Sequence, residues 1–258
     1  MKIVVAYKWA ADPQEATVAA DGQVDFSRAK SAVSDYDAVA ITVARHLGDT
    51  HGADVVGLTV GGPEVATGLA TKAALSRGLD ALMVVADPAL TAAGSTGTAQ
   101  ALATALAGVD DIAVLITGDS SVDVGAKLVP AVVGGLLGWP VLTEVTAVAI
   151  EPGALVVERA VSGGTEQLRI DGPAVLAVAT DAATVKAPGM KDVLAAAKKP
   201  VQQLPADPVV ADGTLRSTAR LSGPARRGIQ ISTDDPAAAA AELVSALRAD
   251  GVLIGGQQ

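Results

Sequence analysis

The stretch that decides the fold is Ile112–Pro140, IAVLITGDSSVDVGAKLVPAVVGGLLGWP. Residues 112–117 are almost purely apolar and β-branched, which predicts a strand buried on both faces of a parallel sheet. Residues 118–123 are small and polar, and they predict a turn. Residues 124–137 carry apolar side chains at helical spacing and are followed by a glycine and a proline, so they predict a helix.

In α/β proteins, anion sites are often formed by a strand, a loop of small residues and a helix in this order. Backbone N–H groups of the loop can approach a phosphate, and the helix N-terminus adds unpaired donors and a partial positive charge. Asp119, Ser120, Ser121 and Asp123 can cap the helix or bind a ribose. The alternative is an ordinary βα turn, because every such unit needs a small polar turn and a cap. The loop matches neither G-x-G-x-x-G nor a Walker A loop.

Composition narrows the class of protein. Half of the 258 residues are hydrophobic but only 2% are aromatic, so Ala, Val, Leu and Ile must form the core, as suits a parallel sheet covered by helices. A net charge of −9 argues against nucleic-acid partners and anionic membrane surfaces. The lack of cysteine excludes disulfides and thiol catalysis, and two histidines are too few for most metal sites, so no metal is expected.

The sequence also carries no targeting signal that we recognise. No signal peptide precedes Met1, and no apolar run reaches the roughly 20 residues that span a bilayer. We therefore expect a cytoplasmic protein without direct membrane insertion.

Four rounds of strand and helix fill the first half of the chain. The predicted strands are Lys2–Tyr7, Val55–Val60, Ala81–Val85 and Ile112–Thr117. The predicted helices are Ser34–Leu47, with Ser34, Asp35 and Asp37 as candidate caps, then Glu64–Arg77, Gly94–Leu106 and Val124–Leu137. This alternation predicts a doubly wound, mostly parallel sheet of the Rossmann-like, adenine-nucleotide-binding type. The small-residue turns after the first, second and fourth strands then share one edge, which favours a nucleotide-type ligand there.

The pattern changes after Pro140. Short strands separated by turn-forming residues predict an antiparallel meander over 143–170, and Ala174–Ala179 predicts a strand that returns to the main sheet. A loop and a short helix follow over 180–200. We expect an α/β nucleotide-binding domain over 1–201, and an extended arm over 202–258 whose terminal helix, Pro236–Asp250, docks on a partner subunit.

The chain resembles the β subunit of the electron transfer flavoproteins. The opening Val5–Lys8, the loop Gly118–Asp123 and the L-G-W-P at 137–140 are similar to that family. The most specific run is Val157–Pro200, with V-E-R, G-G, P-A-V and K-K-P in the family's order. The resemblance covers roughly residues 1–201.

The resemblance implies FAD shared with an electron transfer flavoprotein α subunit, and either AMP or a second FAD in the β site. It implies electron transfer with flavin dehydrogenases or a quinone-linked acceptor. The implied nucleotide contacts are Ala6, Lys8, Ser34, Tyr36, Asp37, Val60, Gly61, Gly118, Asp119, Ser120, Ser121, Asp123, Val124, Gly125, Ala126, Lys127 and Val129. Met190 matches a position where the family carries an apolar partner-recognition residue, and Trp9–Pro13 matches one near the α-subunit flavin.

The chain departs from the family pattern in two places. Ser34–Tyr36 stands where many members have N-P-F, and residues 124–129 lack the family's polar Gln and Thr side chains. The side-chain phosphate ligands are thus largely missing, while backbone N–H donors remain and Lys127 offers one positive charge.

We see no nucleophile–base pair and no catalytic carboxylate pair in the sequence, so we expect an electron-transfer subunit without catalytic residues of its own. Two alternatives remain. A stand-alone ATP-using enzyme, such as an adenylyl transferase, needs a phosphate loop that we do not find. A nucleotide sensor of the universal-stress type leaves the meander and the arm unexplained.

Overall fold

The computed structural model describes residues 1–208, 223 and 225–253. The chain divides into two compact units, Met1–Thr218 and Ala219–Gln258. The strands are β1 (Lys2–Ala6), β2 (Trp9–Ala11), β3 (Thr17–Val18), β4 (Val24–Asp25), β5 (Ser31–Val33), β6 (Asp54–Gly61), β7 (Ala81–Ala86), β8 (Ile112–Gly118), β9 (Val141–Glu151), β10 (Ala154–Val161), β11 (Gly164–Asp171), β12 (Ala174–Val178) and β13 (Val201–Leu204). The helices are α1 (Asp35–His51), α2 (Gly68–Leu75), α3 (Ser95–Ala107), α4 (Val129–Leu137), α5 (Met190–Ala196) and α6 (Pro236–Ala249).

The main sheet has the strand order β11-β10-β9-β12-β8-β1-β6-β7-β13. Strand β1 lies near its centre, parallel to β8 on one side and to β6 on the other. Because side chains alternate along a strand, Ile3 and Val5 pack in one core cluster with α1 and α2, whereas Val4 packs in the other with α3 and α4. The predicted doubly wound, mostly parallel sheet is confirmed.

The predicted meander is also confirmed, and it continues the main sheet. Strands β9, β10 and β11 pair antiparallel in sequence order. Strand β12 returns between β8 and β9, parallel to both. The meander therefore forms one end of the main sheet and not a separate layer.

At the opposite edge the structure corrects the sequence analysis. Val201–Leu204 forms β13, which pairs parallel with β7, although residues 202–204 were predicted to begin the arm. An edge strand does not need to be apolar. Because Gln202 and Gln203 are polar and exposed, the apolar pattern used to predict strands did not include them. Residues 209–222 of the predicted arm lie outside the described part of the chain.

A second correction concerns the start of α4. The helix begins at Val129, five residues later than the predicted Val124. Gly125 and Lys127 have φ values of 64° and 53°, in the left-handed region that a right-handed helix cannot include. Residues 119–123 therefore do not cap α4, and its N-cap, Leu128, makes no side-chain hydrogen bond.

Two adjacent glycines of α4 differ in their surroundings. A Cβ atom on Gly134 would lie 2.1 Å from Cγ2 of Val141 and 3.1 Å from the backbone oxygen of Trp139, whereas one on Gly135 would meet nothing within 4 Å. We expect Gly134→Ala to lower the free energy of unfolding by about 1–3 kcal/mol through overpacking. Gly135→Ala should raise it by about 0.4–1 kcal/mol, because alanine restricts the unfolded chain.

Urea denaturation of both variants measures this difference. Equal effects of the two substitutions would contradict the packing of α4 on β9. Each variant is the control for the other, because both substitutions add one methyl group to the same helix.

The second unit is characterised by α6, as predicted for the end of the chain. Asp235 caps the helix by accepting hydrogen bonds from the N–H groups of Ala237 and Ala238, at 2.9 and 3.3 Å. Arg227 forms an ion pair with Asp250 beyond its C-terminus. Docking of this helix on a partner remains a prediction. No helix in the described ranges is long and apolar enough to cross a membrane.

Candidate nucleotide site

The carboxyl ends of three parallel strands meet at one edge of the sheet. Ala6, the last residue of β1, is in register with Thr117 of β8 and with Leu58 of β6. From β1 the chain continues through α1 to β6 on one side, and it reaches β8 on the other side only later. The carboxyl ends of β1 and β8 therefore flank a topological switch point, beyond which open α/β sheets bind ligands.

A buried carboxylate joins the two sides of this switch point. Asp37, in the first turn of α1, accepts a hydrogen bond at Oδ2 from the backbone N–H of Lys8 (2.8 Å) and another at Oδ1 from that of Gly118 (3.1 Å). Burial raises the pKa of Asp37 to about 7, against the two N–H hydrogen bonds, which lower it. The prediction that Asp37 caps its own helix is wrong, because its two oxygens accept hydrogen bonds from the N–H groups of Lys8, after β1, and of Gly118, the last residue of β8.

Gly118 is fixed by a close approach of α1. A Cβ atom at this position would lie 2.7 Å from the backbone carbonyl carbon of Tyr36 and 2.8 Å from Oδ1 of Asp37. No side chain fits there, so the glycine lets the end of β8 and the start of α1 come into contact. The end of β8, which was predicted to bind a ligand, is thus also the place where the start of α1 contacts the sheet.

The N-cap of α1 carries an unused polar group. Ser34 is only 2% exposed, and its Oγ has no hydrogen-bond partner among the described residues. Buried hydroxyls almost always have a partner, so this atom is suited to a ligand that enters the crevice. The first turn of α1 adds unpaired backbone N–H groups beside it.

Both lysines at the site are already paired with carboxylates. Nζ of Lys8 lies 2.6 Å from Oδ2 of Asp123. Nζ of Lys127 contacts the carboxylate of Asp119 and lies 3.1 Å from Oε1 of Glu144. Lys127 is therefore not the free positive charge that the sequence analysis expected.

Glu144 contacts the loop after β8 through Lys127, and sequence reasoning missed it. It lies in β9, at the start of the meander, where the strand pattern gives no hint of a link to the loop after β8. Its backbone is left-handed, with φ at 55°, which breaks the alternation of the strand locally.

The other predicted contacts take their places along the same edge. Ala6 ends β1, Val60 and Gly61 end β6, and Val129 begins α4. Within the loop, Gly125 donates its N–H to Oγ of Ser121 at 3.3 Å. The remaining loop residues are the half-buried Ser120 and the exposed Val124 and Ala126.

These groups fit a phosphate group of a ligand better than a metal ion. The loop and the helix N-termini offer N–H donors, and Ser34 offers a buried hydroxyl. The described residues include no group of three or more His, Cys, Asp or Glu side chains able to hold a metal. The same donors suit AMP and the AMP half of FAD.

The doubly wound sheet and its switch point place the chain among the α/β proteins of the Rossmann-like class. Residues 21–209 match the family model of the electron transfer flavoprotein domain. The match covers most of the chain, which therefore belongs to the electron transfer flavoprotein family. Members of this family bind flavin and transfer electrons with dehydrogenases, and they are not typical enzymes.

Met190 lies apart from the crevice. It is the first residue of α5, and its side chain is 76% exposed. Leu194, one turn further along the helix, is 66% exposed. A solvent-exposed pair of flexible apolar side chains is suited to contact with another protein.

Proposed function

We propose that this chain is the β subunit of a heterodimeric electron transfer flavoprotein. In this proposal it binds an adenine nucleotide, either AMP or a second FAD, in the crevice between β1 and β8. It also helps an α subunit to hold FAD, and the heterodimer carries electrons between dehydrogenases and an acceptor. The bound flavin supplies the redox chemistry, while the protein supplies position and insulation.

The observation that carries the proposal is the pair of hydrogen bonds that Asp37 accepts from Lys8 and Gly118 at the switch point. We call this pair the clamp. Asp37 fixes the backbone of Lys8 and of Gly118 in one unit, beside the unpartnered hydroxyl of Ser34. A preorganised edge of backbone donors can bind a nucleotide without the side-chain phosphate ligands that this chain lacks. The match to the electron transfer flavoprotein domain supports the redox context of that site.

Two further features support a subunit that works in a complex. Met190 and Leu194 present apolar side chains to solvent on α5, and we assign them to recognition of a dehydrogenase partner. Helix α6 exposes Leu243 (49%) and Val244 (37%), which suits docking on the α subunit.

The test is to purify the chain alone and together with an α subunit of the same family. We expect a colourless chain and a yellow heterodimer. Extraction of the denatured heterodimer, followed by chromatography of adenine nucleotides and flavins, should give one FAD and one AMP, or two FAD, per heterodimer.

A heterodimer with one FAD and no second nucleotide would contradict the proposed β site. Turnover of ATP by the chain alone would favour a stand-alone ATP-using protein instead. Failure of the chain to associate with any α subunit would contradict the assignment as a β subunit.

A further inference from the structure

One helical layer of the main sheet carries no charged side chain. Helices α3 and α4 contact each other and pack on the same side of the sheet. Residues 88–109, which contain α3, and residues 128–143, which contain α4, include no Asp, Glu, Lys, Arg or His. Charged residues make up 18% of the whole chain, so their absence from both helices of one layer sets that layer apart from the rest of the protein.

The helices on the opposite side of the sheet have the usual composition of a surface layer. Helix α1 carries Asp35, Arg45 and Asp49, and α2 carries Lys72. Nε of Arg45 lies 2.9 Å from Oδ1 of Asp49, whose side chain is 69% exposed. A helix that faces water normally has a charged outer side, whereas a helix that is apolar all round is normally covered. The composition of α4 therefore indicates that another surface covers it.

The outer side of α4 is both apolar and exposed. Leu128, at the N-cap, and Leu136, about two turns later, are 51% and 55% exposed, and Ala131 between them is also exposed. The charged residues that flank this segment in the sequence, Lys127 and Glu144, pair with each other at 3.1 Å. We call the outer side of residues 95–107 and 128–137 the α3–α4 face.

We infer that the α3–α4 face joins two copies of this chain across a two-fold axis that passes close to α4. Most homo-oligomers have such an axis, and the same surface of both copies is then in contact. A side chain close to the axis meets its own copy, so a charged group there would face a like charge. A two-fold contact therefore requires an uncharged surface, whereas an acidic chain can attract a different partner through opposite charges.

The net charge of the chain leads to the same conclusion. Two copies that each carry a charge of −9 repel each other, and an uncharged face is where they can meet without close contacts between like charges. Because salt screens this repulsion, self-association should become stronger as NaCl rises from about 0.05 to 0.5 M. The inference does not rest on the nucleotide site, and in the proposed heterodimer the contact joins two β subunits.

The experiment is sedimentation equilibrium of the full chain, alone and in complex with an α subunit, at both salt concentrations. The chain has a mass of 25.5 kDa, so a dimer is recognised by twice that mass. Leu136→Glu places like charges near the axis without removing a core side chain. Leu69→Glu is the matched control, because Leu69 is 73% exposed on α2, on the opposite side of the sheet. Circular dichroism shows whether each variant is folded, and Leu128→Glu tests the same face if Leu136→Glu is not.

The wild-type chain should form a dimer, and Leu136→Glu should raise its dissociation constant by at least about tenfold. Leu69→Glu should leave the dissociation constant unchanged. Leu136→Lys should be as weak a dimer as Leu136→Glu. An equimolar mixture of these two variants should associate again, because a glutamate then faces a lysine across the axis.

A wild-type chain that stays monomeric at both salt concentrations, and whose complex contains a single copy of it, would overturn the inference. A dimer that Leu136→Glu leaves intact would do the same, since the contact would then lie elsewhere. Failure of the mixed variants to associate would overturn the two-fold axis at α4. If the chain were monomeric and Leu136→Glu weakened binding of the α subunit, the α3–α4 face would belong to the heterodimer. The inference would then be wrong while the proposed function stood.

Discussion

Replacing Gly118 with alanine should lower the free energy of unfolding by about 2 kcal/mol and weaken AMP binding by at least about tenfold. The added Cβ atom would lie 2.7 Å from the backbone carbonyl carbon of Tyr36, closer than carbon atoms pack. Helix α1 and the end of β8 would have to separate. Asp37 would then lose its hydrogen bond to the N–H of residue 118, and the crevice would lose its shape.

Urea denaturation gives the change in stability, and calorimetric titration with AMP gives the change in affinity. Gly135→Ala is the matched control, since it adds the same methyl group at a position with nothing within 4 Å. If Gly118→Ala kept both the wild-type denaturation midpoint and the wild-type affinity, the close contact between α1 and β8 would not exist in solution.

The central strands and the helices were predictable because their signals are local. Apolar, β-branched runs such as Ile112–Thr117 need only neighbouring residues to identify them, and a parallel sheet follows from their alternation with helices. The edge strand β13 was missed, since Gln202 and Gln203 carry no such signal. The start of α4 was misplaced because apolar spacing continued through residues whose backbone is left-handed.

The convergence of the strand ends at the candidate site was predictable for the same topological reason, but the contacts there were not. Parallel strands bring the loops after β1 and β8 to one edge wherever the sheet is doubly wound. The clamp between Asp37 and Gly118 joins residues 81 positions apart, and no periodicity reports such a pair. Glu144 was missed for the same reason, because its partner Lys127 lies in another element.

Lys8 and Lys127 are both paired with carboxylates, and this changes which groups are expected to bind an anion. From the sequence, Lys127 is a free charge for a phosphate, whereas in the fold it stabilises the buried carboxylate of Asp119. In the proposed site the donors to an anion are backbone N–H groups, and Asp37 fixes the backbone of Lys8 and Gly118. The protonation state of Asp37 should therefore influence the free energy of unfolding.

Stability should consequently fall as the pH rises from 5 to 8, and Asp37→Asn should abolish most of that fall. Burial raises the pKa of Asp37 to about 7 in the folded chain, from an ordinary value of 3.8. Between these values the folded state holds a proton that the unfolded state has released. Raising the pH therefore favours unfolding, and about 3 kcal/mol should be lost between pH 5 and pH 8.

Other carboxyl groups with altered pKa act outside this window. The hydrogen bond and charge of the N-terminal amine lower the pKa of Asp111, so its stabilising contribution is complete above about pH 5 and is lost as the pH falls below about 4. Although burial opposes it, hydrogen bonds from Lys8 and Ser121 and the charge of Lys8 lower the pKa of Asp123 with the same result.

Urea denaturation of wild type and Asp37→Asn at pH 5, 6, 7 and 8 measures the effect. Asparagine does not titrate, and it retains one acceptor for the two N–H groups, so the variant should lose stability at pH 5 but change little from there to pH 8. Asp35→Asn, two residues earlier on the exposed side of the same helical turn, should retain the wild-type slope. A wild-type stability that is flat or rises over this range would show that Asp37 is ionised in the fold without the penalty of burial. The two hydrogen bonds from Lys8 and Gly118 would then outweigh desolvation, and the clamp would be stronger than its burial implies.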